Sequence, residues 1–115
     1  MVTQFFLLHG QNIESSLKEF ILCFQPQAYE SNYPGGFLRV YEEYSILNSN
    51  QLMVCIRVDT TMAAQENITI EVISGGGANS PFFKAWWGSE KRRIKNFGKA
   101  LEEFCIQRNI RLEVQ

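Results

Sequence analysis

Apolar and polar side chains alternate along the middle of the chain, which predicts a run of consecutive β-strands. Apolar residues occupy every second position in segments 52–58 and 67–74, and segment 37–47 is aromatic, β-branched and partly alternating. A period of two is typical of a strand with one buried face. Turn-forming residues in segments 48–50 and 60–66 separate the three strands, so we expect an antiparallel meander.

Two further segments carry apolar residues at the helical period. The first stripe comprises Ile13, Leu17, Phe20, Ile21 and Phe24, and the second comprises Ile94, Phe97, Leu101, Phe104 and Cys105. We expect Asn12 to cap the first helix and Pro26 to end it. We expect Ser89 to cap the second helix, with Glu90 in its first turn. Asn109 is expected to adopt a left-handed conformation at its C-terminal end.

The remaining segments complete an α+β fold. Segments 2–8 and 110–114 have the length and pattern of strands, whereas segment 27–36 is rich in turn formers and is expected to be a loop. The predicted order is β-α-β-β-β-α-β. Because two helices with one apolar stripe each need a sheet face to cover, we predict a two-layer sandwich with a mainly antiparallel sheet and both helices on one face. The length of 115 residues fits a single domain, 1–115.

The sheet face without helices is predicted to carry Met53, Cys55 and Arg57, together with Phe37 and Tyr41 from the neighbouring strand. Such a face is only partly polar. It fits an amphipathic surface in solvent or the contact surface of a homodimer, and the sequence leaves both interpretations open.

The composition narrows the class of protein but not its activity. Hydrophobic residues make up 45% of the chain, charged residues 20%, and the formal net charge is −1. These values are typical of a globular protein rather than a disordered chain or a general polyanion binder. The three cysteines have no metal-binding spacing, and we expect buried free thiols in a cytoplasmic protein. The first residues lack the features of a signal peptide or membrane span, so no membrane partner is expected.

Positive charge is concentrated in segment 84–99, which holds six of the eleven basic residues and one acid, Glu90. The face of the second helix opposite its apolar stripe is predicted to carry Lys91, Arg92, Lys95 and Lys99. The ordinary interpretation is a solvated helix face, partly paired with Glu102 and Glu103. The alternative is a nucleic-acid-binding protein, or a regulator of a nucleic-acid enzyme, that uses this basic face, although no recognised nucleic-acid motif is present.

The 75–93 connector joins the last meander strand to the second helix and is the predicted binding surface. Its candidate binding residues are Gly75, Gly76, Gly77, Phe82, Lys84, Trp86, Trp87, Arg92 and Arg93. Consecutive glycines permit close backbone approach, and a helix N-terminus favours anions, but neither the P-loop nor the dinucleotide spacing is present. The aromatic side chains suit three roles: sealing the core, docking on a partner, or stacking on bases. The leading hypothesis is a non-enzymatic binding module that contacts a partner protein or a small anionic ligand here.

Residues suited to catalysis are sparse. His9 is the single histidine, and no set of residues has metal-ligand spacing. We therefore expect no enzyme activity, metal or cofactor. The competing hypothesis of an enzyme requires an apolar pocket that joins His9 to the glycines of the connector.

Overall fold

The computed structural model describes residues 2–24, 29–45, 50–76 and 83–115, and it describes side-chain surroundings for residues 2–24, 29–42, 53–75 and 91–115. In chain order the elements are β1 (Val2–His9), α1 (Glu14–Phe24), β2 (Tyr29–Tyr33), β3 (Gly36–Ser45), β4 (Asn50–Asp59), a short 3₁₀ helix (Ala63–Gln65), β5 (Asn67–Gly76), α2 (Phe83–Gln107) and β6 (Arg111–Val114).

The six strands form one antiparallel sheet in the order β2-β3-β4-β5-β1-β6. Both helices contribute to a single core against one face of the sheet. The predicted α+β two-layer sandwich is therefore confirmed, and the element order is as predicted with one strand added.

The added strand, β2, lies within segment 27–36, which the sequence predicted to be a loop. It pairs with the first half of β3, from Tyr29 opposite Val40 to Tyr33 opposite Gly36. Four of its five residues are exposed, because it is an edge strand with little buried surface. Without a buried face it has no hydrophobic alternation, and its turn-forming composition dominated the sequence signal.

The core follows the alternation of the strands. Its largest fully buried side chains are Phe97, Leu8, Leu17, Ile56, Ile68, Ile70, Leu101, Val54, Val58 and Val72. Aromatic contacts join the two helices: the rings of Phe20 and Phe104 stack with centroids 4.9 Å apart, and Phe24 meets Phe97 edge-on at 5.4 Å. Both predicted helical stripes are thus buried against the sheet or against each other.

Strand β3 presents the opposite face from the one that the sequence predicted. Phe37 and Tyr41 are both 4% exposed and lie in the core, whereas Leu38 and Val40 face away from the helices. The register explains this, because Phe37 pairs with Val58 and Tyr41 with the equally buried Val54. The pattern was misleading because the charged residue Arg39 lies between the two aromatic residues on the buried face.

Helix ends also differ from the expectations. Helix α2 begins at Phe83 rather than at Ser89, because serine inside a helix costs only roughly 0.5 kcal/mol and does not force a start. Asn12 is left-handed, with φ 54°, and Ile13 instead accepts the first helical hydrogen bond, from Leu17. Asn109 has φ 57° as predicted, and the Ile110 amide donates to the Cys105 carbonyl at 2.9 Å, the long bond of a Schellman motif.

The three cysteines are free but not uniformly buried. Cys105 is buried, Cys55 is half-buried and Cys23 is exposed. The expectation of buried thiols is therefore wrong for Cys23, which lies beside the apolar stripe of α1 rather than on it.

Candidate functional site

The glycines at the start of the 75–93 connector belong to the sheet. Gly75 pairs with Met53 and Gly76 with Leu52, so both extend β5 to its last residue. Their backbone groups take part in strand pairing with β4, so these two glycines lie in a strand and not in a loop, and their role in binding stays a prediction. The predictions for Gly77 and Phe82 lie outside the described residues.

Lys84, Trp86 and Trp87 lie in the first turns of α2 and not in a loop before it, and their side chains are outside the described set. Arg92 and Arg93 follow further along the helix. Arg92 is exposed, whereas Arg93 is half-buried, because successive helical residues point about 100° apart. The structure therefore replaces a predicted loop with a helix whose solvent side carries the charge.

That solvent side, which we call the basic face of α2, consists of Lys91, Arg92, Lys95 and Lys99. All four residues are exposed, and they extend over roughly 12 Å of helix. Among the residues whose side chains are described, no acid lies within 4 Å of Arg92, Lys95 or Lys99 as an ion-pair partner. The expected pairing of Lys99 with the glutamates one turn later is therefore not observed.

Beyond the basic face, the same side of α2 becomes acidic and then apolar. Glu102 and Glu103 are exposed, and Ile106 is 69% exposed. Ile106 lies seven residues after Lys99, which is almost two helical turns, so both point in nearly the same direction. An isoleucine so exposed on a charged helix is a feature that the sequence analysis missed, because it falls outside the apolar stripe.

A groove of about 360 Å³ lies beside Ile106, between α2 and the edge strand β6. It is lined by Glu102, Cys105, Ile106, Ile110, Leu112 and Val114. Val114 is 64% exposed, and β6 is the last strand in the order of the described sheet. We call this site the α2–β6 groove. Its apolar lining and its position at a sheet edge suit the side chains of an extended peptide.

A second groove, of about 370 Å³, runs between α1 and α2 and is lined in part by Glu19, Phe20, Cys23 and Arg108. The Arg108 guanidinium lies 4.9 Å from the centre of the Phe104 ring at this groove. Its charges are mixed, so it does not extend the basic face of α2.

His9 is held at the far end of the sheet from the glycines. Its Nδ1 lies 2.5 Å from Asn67 Oδ1, and its Nε2 lies 3.6 Å from Glu113 Oε2. Asn67 begins β5 whereas Gly75 and Gly76 end it, which separates His9 from these glycines by roughly 27 Å at the usual rise per residue. The hypothesis of an enzyme site that joins His9 to Gly75 and Gly76 is therefore wrong.

Asp59 belongs to the turn after β4. The Thr61 hydroxyl donates to Asp59 Oδ1 at 2.6 Å and the Thr61 amide donates to the same oxygen at 2.9 Å. These two hydrogen bonds lower the pKa of the Asp59 carboxyl, because they stabilise its charged form. The carboxylate therefore closes the turn.

Within the described part of the chain, no group of three or more His, Cys, Asp or Glu residues is placed to hold a metal ion. No helix in that part has the length and apolar character needed to cross a membrane.

The profile of one protein family, described as a family of unknown function (DUF6054), matches residues 25–105. This match contains β2 to β5 and most of α2, including the basic face. Searches of curated proteins and of solved structures found no match to the chain.

Proposed function

The chain belongs to the family of unknown function DUF6054, and from the surface of α2 we propose that it is a small non-enzymatic module that binds an acidic partner protein. The binding surface is the basic face of α2 together with the α2–β6 groove. It retains Arg92 from the predicted 75–93 connector and extends towards the C-terminus of the same helix.

The observation that carries this proposal is the set of three exposed cations on α2, Arg92, Lys95 and Lys99, which have no acidic partner among the described side chains. The chain as a whole has a net charge of −1. A concentrated basic surface on a slightly acidic protein steers acidic partners to one place, and it fixes their orientation on contact.

Three neighbouring features favour a protein partner over a nucleic acid. Ile106 and the groove beside it offer an apolar anchor site on the same side of α2. Glu102 and Glu103 lie between the cations and this anchor, where they repel a continuous phosphate backbone but tolerate a peptide whose charges are spaced. Apolar anchors surrounded by charge are typical of protein interfaces.

His9 Nδ1 contacts Asn67 Oδ1, and its Nε2 lies 3.6 Å from Glu113 Oε2 without a hydrogen-bond partner among the described residues. The distance of this histidine from Gly75 and Gly76 supports a module without catalysis. Free thiols at all three cysteines support a cytoplasmic location, because thiols persist in a reducing compartment.

A pair of charge-reversal variants tests the proposal. Arg92→Glu/Lys95→Glu changes the basic face of α2, and Arg108→Glu/Arg111→Glu makes the same change in net charge at two exposed positions elsewhere. The probe is a labelled peptide of alternating glutamate and leucine, and binding is followed by fluorescence anisotropy. We expect the first variant to weaken binding about tenfold or more and the second less than about twofold.

Two further probes distinguish an acidic protein from a nucleic acid and from a small anionic ligand. Inorganic phosphate or a labelled 20-nucleotide DNA replaces the peptide, and each titration is repeated at rising salt. Tighter binding of the DNA than of the peptide, with a steep loss of affinity in salt, would favour the nucleic-acid alternative. Tight binding of phosphate would favour a small anionic ligand. Equal effects of the two charge-reversal variants would contradict the proposed surface.

A further inference from the structure

The sheet face away from the helices, which we call the open face, is largely apolar at its centre. Strand pairing and side-chain alternation place on it Phe5, Leu38, Val40, Met53, Cys55 and Ile73. Phe5 is 38% and Met53 is 51% exposed, and the others are half-buried. Contiguous apolar surfaces of this kind on a folded protein mark contact sites.

One ion pair lies among these apolar residues. Arg57 on β4 and Glu71 on β5 are direct cross-strand neighbours, with Arg57 Nε 3.2 Å from Glu71 Oε1. The Glu71 side chain is only 19% exposed and the Arg57 side chain is 52% exposed. Glu42 on β3, which pairs with Met53, and the Arg111–Glu113 ion pair on β6 lie on the same side of the sheet. The open face therefore carries charges of both signs in and around its apolar centre.

We propose that the open face is covered by the open face of a second copy of this chain. A two-fold axis through the centre of the face brings Arg57 of each copy towards Glu71 of the partner subunit, so the charges are complementary to themselves. Isologous contacts of this kind require such self-complementarity. A surface with a single sign of charge would instead indicate a different partner.

The size of the open face fits a stable dimer. β1, β3, β4 and β5 each have at least eight residues, whereas β2 has five, and each residue covers roughly 3.3 Å along its strand and roughly 4.8 Å across the sheet. These strands therefore cover roughly 600 Å² per copy, or about 1,200 Å² for the pair, which is the lower limit of the usual range for specific interfaces.

Val40 and Cys55 have small side chains and Gly75 has none, which suits sheet-on-sheet packing. The dimer leaves α2 free, because the helices cover the opposite face of the sheet. The dimer proposal is therefore independent of the proposed partner site on α2.

Sedimentation velocity of the whole chain from about 1 to 100 µM tests the dimer. We expect wild-type protein to dimerise within this range. Arg57→Glu and Glu71→Arg should each raise the dimer dissociation constant by about 100-fold, because each places like charges together in the interface. An equimolar mixture of the two variants should dimerise again, because one copy then carries two anions and the other carries two cations.

This rescue by mixing distinguishes an interface from an internal role of the ion pair, since restoring a contact within one chain cannot depend on a second chain. Two single substitutions serve as a matched pair: Met53→Lys on the open face should abolish dimers, and Ile106→Lys on α2 should leave them intact. Circular dichroism checks the folding of each variant, and Met53→Lys replaces any charge variant that fails to fold.

A wild-type monomer at 100 µM would overturn the proposal. So would a Met53→Lys variant that dimerises like wild type, or two folded charge variants that stay monomeric after mixing.

Discussion

Arg39 is a buried cation, and the Glu30 carboxylate compensates its charge. Substitutions at these two residues therefore test how the core accommodates a charge. Its side chain is 3% exposed and lies 3.2 Å from the Glu30 carboxylate on β2. Its Nη1 donates to the Leu38 carbonyl at 3.1 Å, and its guanidinium lies 5.1 Å from the centre of the Phe37 ring. Arg39 Nε has no hydrogen-bond partner. Glu30 therefore supplies the charge compensation for this guanidinium in the described structure.

Removing the carboxylate should cost more than removing the whole pair. Breaking a fully buried ion pair costs about 3–5 kcal/mol, but the Glu30 side chain is 49% exposed, so water screens part of the loss. We expect Glu30→Gln to lower the free energy of unfolding by about 2 kcal/mol. Arg39→Met removes the charge and keeps much of the volume, and it should stay within about 1 kcal/mol of wild type.

The double variant Glu30→Gln/Arg39→Met completes the cycle. Because no buried charge is left to compensate, it should be as stable as Arg39→Met within about 0.5 kcal/mol. Urea unfolding followed by far-ultraviolet circular dichroism measures all four proteins at one concentration, with Met53→Lys present in each so that dissociation does not contribute. If Arg39→Met proved less stable than Glu30→Gln, packing by the arginine stem rather than its charge would dominate, and the reasoning would be refuted.

Two further predictions concern helix packing and the thiols. Gly98→Ala should stabilise the fold by about 0.5–1 kcal/mol, because the added methyl would lie 3.4 Å from Phe6 Cζ, an ordinary contact. We expect the melting temperature to rise by a few degrees. A lower melting temperature would mean that α2 cannot accept the methyl group. Cys23 is exposed, whereas burial raises the pKa of Cys105 to about 11, so Ellman's reagent at pH 8 should modify Cys23 in folded protein and Cys105 only after denaturation. Equal rates at the two thiols would contradict the burial of Cys105.

The strands with one strictly apolar face were predictable, because every second residue in them is apolar and these residues are the buried ones. In β4 and β5, Val54, Ile56, Ile68 and Ile70 alternate with more polar residues and all are buried. The face of β3 was not predictable from the same rule. Arg39 occupies a buried position whose tolerance depends on Glu30, a residue from a strand that the sequence did not reveal.

Part of the candidate site was likewise predictable from the sequence, and part was not. The cations of the basic face were predicted, since Lys95 and Lys99 fall opposite the apolar stripe at helical period, and both are exposed. The strand pairing of Gly75 could not be seen, because glycine permits both loop and strand conformations. The groove beside Ile106 depends on how β6 lies against α2, and local sequence carries no information about that distance.

Binding of the acidic peptide to Arg92→Glu/Lys95→Glu, measured beside Arg108→Glu/Arg111→Glu, tests the proposed function most directly. The two variants have the same net charge and place the reversed charges on different parts of the surface. A loss of about tenfold or more confined to the α2 variant is the predicted result. Equal losses in both variants, or undiminished binding by the α2 variant, would contradict the proposal that this helix is the binding surface.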